Sequence, residues 1–189
     1  MTHDSAGNVY VAGITTSPEF PTTPGVYEPT FPGPWSYSVI FVSKFSGDGG
    51  LVWSTFLGPG CSDYVSPTSI VVDSVEDVYV SGITECFGFP TTPGLPNYGN
   101  VFLSKLSPDG SHLLYSTVMG NNAVQGTPSV VIDSAGEAFV SGSGENSCCN
   151  NATGIIGPLG GIDQPGIEAE ATVAPQDGDP SAANGGEAG

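Results

Sequence analysis

Apolar residues along this chain come in short runs set apart by turn-forming residues. "SIVVD" at 69–73, "VYVSG" at 78–82, "VFLSKLS" at 101–107 and "LLYSTVM" at 113–119 are rich in Val, Ile, Leu, Phe, Tyr and Thr. These residues suit pleated, packed surfaces, so the four runs read as strands. No long stretch places apolar side chains at i, i+3, i+4 and i+7, so helix is not expected. Between the first two runs lies "DSVE", whose Asp can accept a hydrogen bond from the backbone N–H two residues on. Between the last two lies "SPDG", with Pro second and Gly fourth as in a type I turn. Two tight hairpins are therefore predicted. The first three runs lack clean in-and-out alternation, which predicts a sheet buried on both faces.

The same pattern is written more than once. "DSAGNVYVAG" begins at Asp4, "DSVEDVYVSG" at Asp73 and "DSAGEAFVSG" at Asp133. "FPTTPG" occurs at 20–25 and at 89–94, "FVSKFSGDGG" from Phe41 matches "FLSKLSPDGS" from Phe102, and "WSTFLG" from Trp53 matches "YSTVMG" from Tyr115. The order is constant, and the three Asp positions give a period of about 60 to 70 residues. An insertion in the first copy, "VYEPTFPGPWSYS", accounts for most of the spread. A four-stranded sheet, buried on both faces and repeated, fits the blades of a β-propeller; a sandwich is the alternative, but it would not need this regularity.

In these motifs the chain resembles the SBBP repeat, a β-propeller repeat of bacterial proteins, from about Asp4 to Gly142. The resemblance implies an all-β fold, a partial β-propeller of four-stranded antiparallel blades. It further implies an extracellular or cell-surface setting, and it brings no catalytic residues with it. The second copy departs from the pattern at Glu76, where the others carry Gly7 and Gly136, and a looser turn is expected there. Residues 1–143 form the repeat region, with an incomplete blade at 4–57, a full blade at 68–119 and a partial blade at 128–142. The first copy is read as lacking its first strand, because "MTH" stands where "IVV" should, and the third as lacking its last two. About two and a quarter blades are too few for a closed ring, which reads as a fragment of a longer chain, a truncated reading frame or one member of an assembly.

Beyond the repeats the sequence changes character. Residues 144–166 are rich in Gly and Asn and read as irregular. Residues 167–189 carry several acids, no base and no aromatic side chain. They cannot bury enough apolar surface to offset chain entropy, so a disordered, dispensable acidic tail is expected.

Charge narrows the partners. The formal net charge is −17, with Lys44 and Lys105 the only bases apart from two histidines. Such a surface repels phosphate backbones and anionic lipid, which argues against nucleic acid. No run of about 20 apolar residues offers a membrane span. Gly (28) and Pro (17) mark a loop-rich chain.

Candidate chemistry is sparse. One Asp per turn falls short of a calcium loop, and His3 and His112 occupy unrelated repeat positions, so no metal, cofactor or catalytic residue is assigned. Lys44 and Lys105 share one repeat position and are read as structural, pairing with a turn Asp or laying their stems over apolar neighbours. Alternating connections should place the short turns at one end of each sheet and the long, Pro-rich connections at the other. That second end would gather a binding surface of Phe20, Pro21, Trp35, Tyr37, Phe89, Pro90 and Tyr98, unless "FPTTPG" is only a stiff connector. It would also gather the four cysteines, with Cys61 and Cys86 placed to form a disulfide.

The resulting expectation is a non-enzymatic module for binding or scaffolding, its ligand a protein or glycan. Two rivals stand beside it. One is a propeller enzyme whose catalytic blades are absent here; the other is a structural subunit that self-associates through open blade edges, more so as salt rises.

Overall fold

The computed structural model describes residues 1–34, 36–95, 97, 99–119, 127–134, 136–146, 149–159 and 171–172. They form three four-stranded antiparallel sheets, each a meander in chain order, with no helix among them. The first sheet holds β1 (Thr2–His3), β2 (Val9–Thr15), β3 (Ser38–Phe45) and β4 (Leu51–Cys61). The second holds β5 (Val65–Val72), β6 (Val78–Thr84), β7 (Val101–Leu106) and β8 (Leu113–Met119). The third holds β9 (Ser129–Ile132), β10 (Ala138–Asn146), β11 (Cys149–Leu159) and β12 (Ala171–Thr172).

Two sequence expectations change at the ends of the repeat. The first copy does possess a first strand, the two-residue β1, which pairs Thr2 with Tyr10 and His3 with Val9. In the third copy the segment read as irregular contains β11, which pairs along β10 from Ala138–Leu159 to Asn146–Cys149. Its "CNNATGIIGPL" lacks the β-branched density of the other strands. Backbone groups, however, pair without regard to side chain, and the free edge of β10 offers a row of them. Ala171 and Thr172, inside the predicted tail, pair with Ile156 and Ile155; the rest of 167–189 lies outside the described residues.

The sheets stack face to face in chain order. Tyr10, Val42, Trp53 and Leu57 of the first sheet pack against Ile70, Val78, Val80, Phe102 and Leu106 of the second. The opposite face of the second sheet, with Tyr79, Val101, Leu103 and Tyr115, packs against Val130, Ala138 and Val140 of the third. Every residue of β6 is buried, as its unalternating apolar run requires. Two buried hydroxyl pairs, Ser43 with Ser54 and Ser104 with Ser116, each at 2.8 Å, bridge the last two strands of their sheets. Each satisfies polar atoms that burial would otherwise strand.

The hairpin turns are built by Asp. The Asp4 carboxylate accepts from the N–H groups of Ala6 (3.0 Å) and Asn8 (2.9 Å), and Asp73 accepts likewise from Val75 (3.0 Å) and Asp77 (2.8 Å). The two-residue bond was predicted; the four-residue bond closes the hairpin as well. At the fourth turn position Gly7 and Gly136 adopt positive φ (84° and 82°), and Glu76 does too, at 69°.

The Pro-rich connections are not confined to one end of the sheets. After Phe20 the chain runs along the outer edge of β4. Thr23 N–H donates to the Ser54 carbonyl and Thr23 Oγ1 accepts from Ser54 N–H, both at 3.1 Å. Phe56 N–H then donates to the Glu28 carbonyl (3.0 Å) and Gly60 N–H to the Pro32 carbonyl (3.1 Å). The second copy repeats the device: Thr92 N–H donates to the Ser116 carbonyl (2.7 Å), and Thr92 Oγ1 accepts from Ser116 N–H (3.0 Å). These straps satisfy groups that an edge strand would leave open. Midway, Tyr27 N–H donates to the Gly110 carbonyl (2.8 Å) in the short turn of the second sheet. The strap thus reaches the short-turn end, contrary to the expected division. The insertion in the first copy lengthens this strap, and Gly33 and Gly60 pass so closely that a Cβ on either would collide with the other's backbone.

Candidate functional site

The long-connection end is organised by a disulfide between Cys61 and Cys86, with Cα atoms 5.5 Å apart. Cys61 ends β4 and Cys86 follows β6, so the bond ties the first sheet to the second. The loop carrying Cys86 is held on both sides. Thr84 N–H donates to the Asn100 carbonyl and Glu85 N–H to the Tyr64 carbonyl, each at 2.8 Å, and Thr84 Oγ1 accepts from Cys86 N–H (3.2 Å).

Beside this bridge lies a cavity of about 480 Å³, lined by Thr84, Glu85, Phe87, Phe89, Asn97, Asn100 and Val118 among others. Phe89 and Val118 are buried and give it an apolar floor. Phe87 stands at the rim, 97% exposed, on a loop fixed by the neighbouring bridge. A carboxylate and two amides complete the lining. A concave site with an apolar base, few polar groups and an aromatic platform suits a ligand with both apolar and hydroxyl-bearing faces.

The residues proposed for binding divide. Phe89 is buried and packs on Phe102, ring centroids 4.7 Å apart. Phe20, its repeat partner, is half-buried against Phe41 (4.3 Å) and Phe56 (6.1 Å). Both act first as packing residues that seat the straps, and only Phe89 lines the cavity. Pro21 is exposed and Pro90 half-buried at the strap entries. Tyr37 is half-buried and its N–H donates to the Pro34 carbonyl (2.9 Å). Trp35 and Tyr98 lie outside the described residues, as does Cys148. Phe87, Glu85 and Asn97 went unread in the sequence. A signal existed, since "ECFGFP" in the second copy stands where the first has "TSPEFP", adding an aromatic beside the cysteine.

At the short-turn end each of the first two sheets holds an Asp–Tyr–Lys cluster. Tyr10 OH donates to Asp4 (3.1 Å) and Tyr79 OH to Asp73 (3.2 Å). The Lys44 ammonium stands 5.1 Å from the centre of the Tyr10 ring, and Lys105 4.8 Å from that of Tyr79. Each lysine meets two carboxylates. Lys105 contacts Asp77 (2.7 Å) and Asp73 (3.5 Å) within its own sheet. In the first sheet Asn8 replaces the second Asp, and Lys44 reaches across to Glu76 of the second sheet (2.7 Å) while standing 4.0 Å from Asp4. Glu76, which sequence reading took for a loosened turn, is the acid that joins the sheets. Burial opposes the charge of each lysine, but the acid (Glu76 or Asp77) and the tyrosine (Tyr10 or Tyr79) beside it together outweigh that cost and hold both above their ordinary 10.5. Burial likewise raises Tyr10 and Tyr79 above 10.0. Locked, charge-balanced lysines of this kind do structural work.

His3 and His112 are exposed, and the His112 ring bonds the neighbouring Ser111 hydroxyl (2.6 Å). Among the described residues no group of three or more His, Cys, Asp or Glu could hold a metal ion. No family model matches the chain, and no curated protein matches it.

Proposed function

We propose that the chain is a non-enzymatic repeat module of the β-propeller kind, similar to SBBP repeats, which works outside the cell and binds a glycan or protein ligand at the cavity beside the Cys61–Cys86 bridge. The observation that carries this reading is Phe87, a phenylalanine left 97% exposed at the rim of a concave site. An aromatic ring at the mouth of a concave site offers a platform on which the apolar face of a ligand can stack. The mixed lining favours a glycan, because a sugar ring offers an apolar face to an aromatic and hydroxyls to a carboxylate and amides. The disulfide supports an oxidising compartment. The propeller reading draws support from sheets that stack in chain order, the second buried on both faces.

The test is a glycan array probed with the intact chain and with Phe87→Ser. Because Phe87 packs on almost nothing, the substitution should leave the thermal melt in place while removing retention of whichever oligosaccharide the parent binds. Retention that survives Phe87→Ser, or an array with no signal for the parent, would overturn the glycan site.

A further inference from the structure

The first and second sheets carry equivalent residues on equivalent faces, yet the two faces are not equally covered. In the second sheet Val78, Val80, Phe102 and Leu106 are each 0% exposed, because the first sheet packs on them. Their repeat counterparts in the first sheet are Val9, Val11, Phe41 and Phe45, and all four are only half-buried. The register confirms that these four share a face, since Val9 pairs with Phe45, Val11 with Ser43 and Gly13 with Phe41. The strap covers one end of the face through Phe20 and Phe31, which bury Phe56. The remainder is built like an inter-sheet joint, and none of the described sheets packs against it.

The other end of the stack shows the complementary face. In the second sheet Val71 and Tyr79 point toward the third sheet. Their counterparts in the third sheet are Val131, 59% exposed, and Phe139, half-buried. The described residues therefore show one half of a joint at each end, and that joint is made twice within the chain, first sheet to second and second to third.

We propose that these two faces dock on each other between two copies of this chain, the Val131–Phe139 face of one on the Val9–Val11–Phe41–Phe45 face of the other, at both ends, closing a pair. The joint is heterologous, pairing different surfaces, so it must either close or propagate. With three sheets per chain, two copies bring about six sheets into one ring, within the range of about four to eight that closes. This differs from pairing through strand edges, because it joins sheet faces; on β4 and β8 the straps already bond to the outer edges of their sheets. It is independent of the ligand site, which lies beside the Cys61–Cys86 bridge rather than on either face.

Sedimentation of the chain at 0.15 M and 1 M salt tests the proposal. A species of twice 19.1 kDa should form, favoured by the higher salt because the net charge of −17 on each copy is then screened. Val11→Glu and Val131→Glu should each give monomers with the far-ultraviolet circular dichroism of the parent. Mixed, they should associate again, because one joint of the mixed pair joins two unaltered faces; a symmetric interface would not be rescued. A parent that stays monomeric, a pair indifferent to both substitutions, or variants that do not complement would each overturn the proposal.

Discussion

Replacing Glu76 separates two opposing effects at a single residue. Its carboxylate sits 2.7 Å from the Lys44 ammonium, and its side chain is 44% exposed. Solvent screens such a half-exposed pair, so it contributes about 1 kcal/mol. Against this, Glu76 holds φ at 69°, a left-handed conformation that costs a residue with a Cβ about 1 kcal/mol relative to Gly. Glu76→Ala keeps the backbone strain and loses the bridge, and should destabilise by about 1 kcal/mol. Glu76→Gly loses the bridge and relieves the strain, and should fall within about 0.5 kcal/mol of the parent, the two effects offsetting. Gly136→Glu supplies the control. Gly136 has φ 82° and open space around its missing Cβ, while Lys105 already has two acids. That change should bring only the strain, about 1 kcal/mol. Urea denaturation at 0.05 M and 1 M salt gives the values, and high salt should narrow the gap between parent and Glu76→Ala. If Ala and Gly at 76 proved equally destabilising, the strain assignment would fail; if Ala matched the parent at low salt, so would the ion pair.

Three further outcomes follow from the same contacts. Cys61→Ser with Cys86→Ser opens a cross-link spanning 25 residues and should lower stability by about 3 kcal/mol, with reductant doing the same to the parent and nothing to the variant; equal melts for parent and double variant would refute this. Thr92→Val removes the acceptor for Ser116 N–H and should cost about 1–2 kcal/mol, with faster hydrogen exchange at Ser116 as the local readout and unchanged exchange as the contrary result. Stability should hold to about pH 10 and fall above it. Burial keeps Tyr10, Tyr27, Tyr79 and Tyr115 above their ordinary 10.0, and, against burial, Glu76 and Tyr10 together keep Lys44, and Asp77 and Tyr79 together keep Lys105, above 10.5. The folded chain then retains protons that the unfolded chain releases, so their contribution is full below the unfolded values and drains as pH climbs past them. A urea midpoint that rose between pH 10 and 11 would contradict the assignment.

The hairpins were legible because the sequence marks them twice, by β-rich runs and by turn residues with defined roles at Asp4, Asp73 and "SPDG". Burial of the second sheet on both faces could be read from the absence of alternation in "VYVSGIT". The straps could not. A Pro-rich loop carries no periodicity to say that it lies along a strand edge, and only the recurrence of Thr23 and Thr92 at one position hinted at a shared partner. β11 escaped notice because its pairing depends on the open backbone of β10 rather than on its own side chains. At the candidate site, Cys61 and Cys86 were found by their place in the connections. Phe87 carries no repeat signal, because it stands in one copy and the other has Pro18 in its place.

The two joints of the stack are fastened unequally, and this sets how the molecule would yield to a pulling force. Between the first and second sheets a covalent bond holds one end of the strands, while Lys44–Glu76 and the Trp53 N–H donated to the Pro108 carbonyl (2.9 Å) hold the other. Pinned at both ends, that joint resists hinging open in either sense and must be sheared as a whole. Between the second and third sheets the described contacts beyond packing are hydrogen bonds, one from Thr68 to the Pro128 carbonyl and one from Tyr79, whose single hydroxyl proton is shared between Asp73 and the Gly136 carbonyl (3.3 Å). Gly136 carries no side chain at the repeat position where Glu76 supplies the acid of the first joint. Under tension the third sheet should peel away bond by bond at low force while the first two remain as one block. The extension trace would show a soft early release followed by a single stiff rupture, and the second event would vanish into the first once the cystine was reduced.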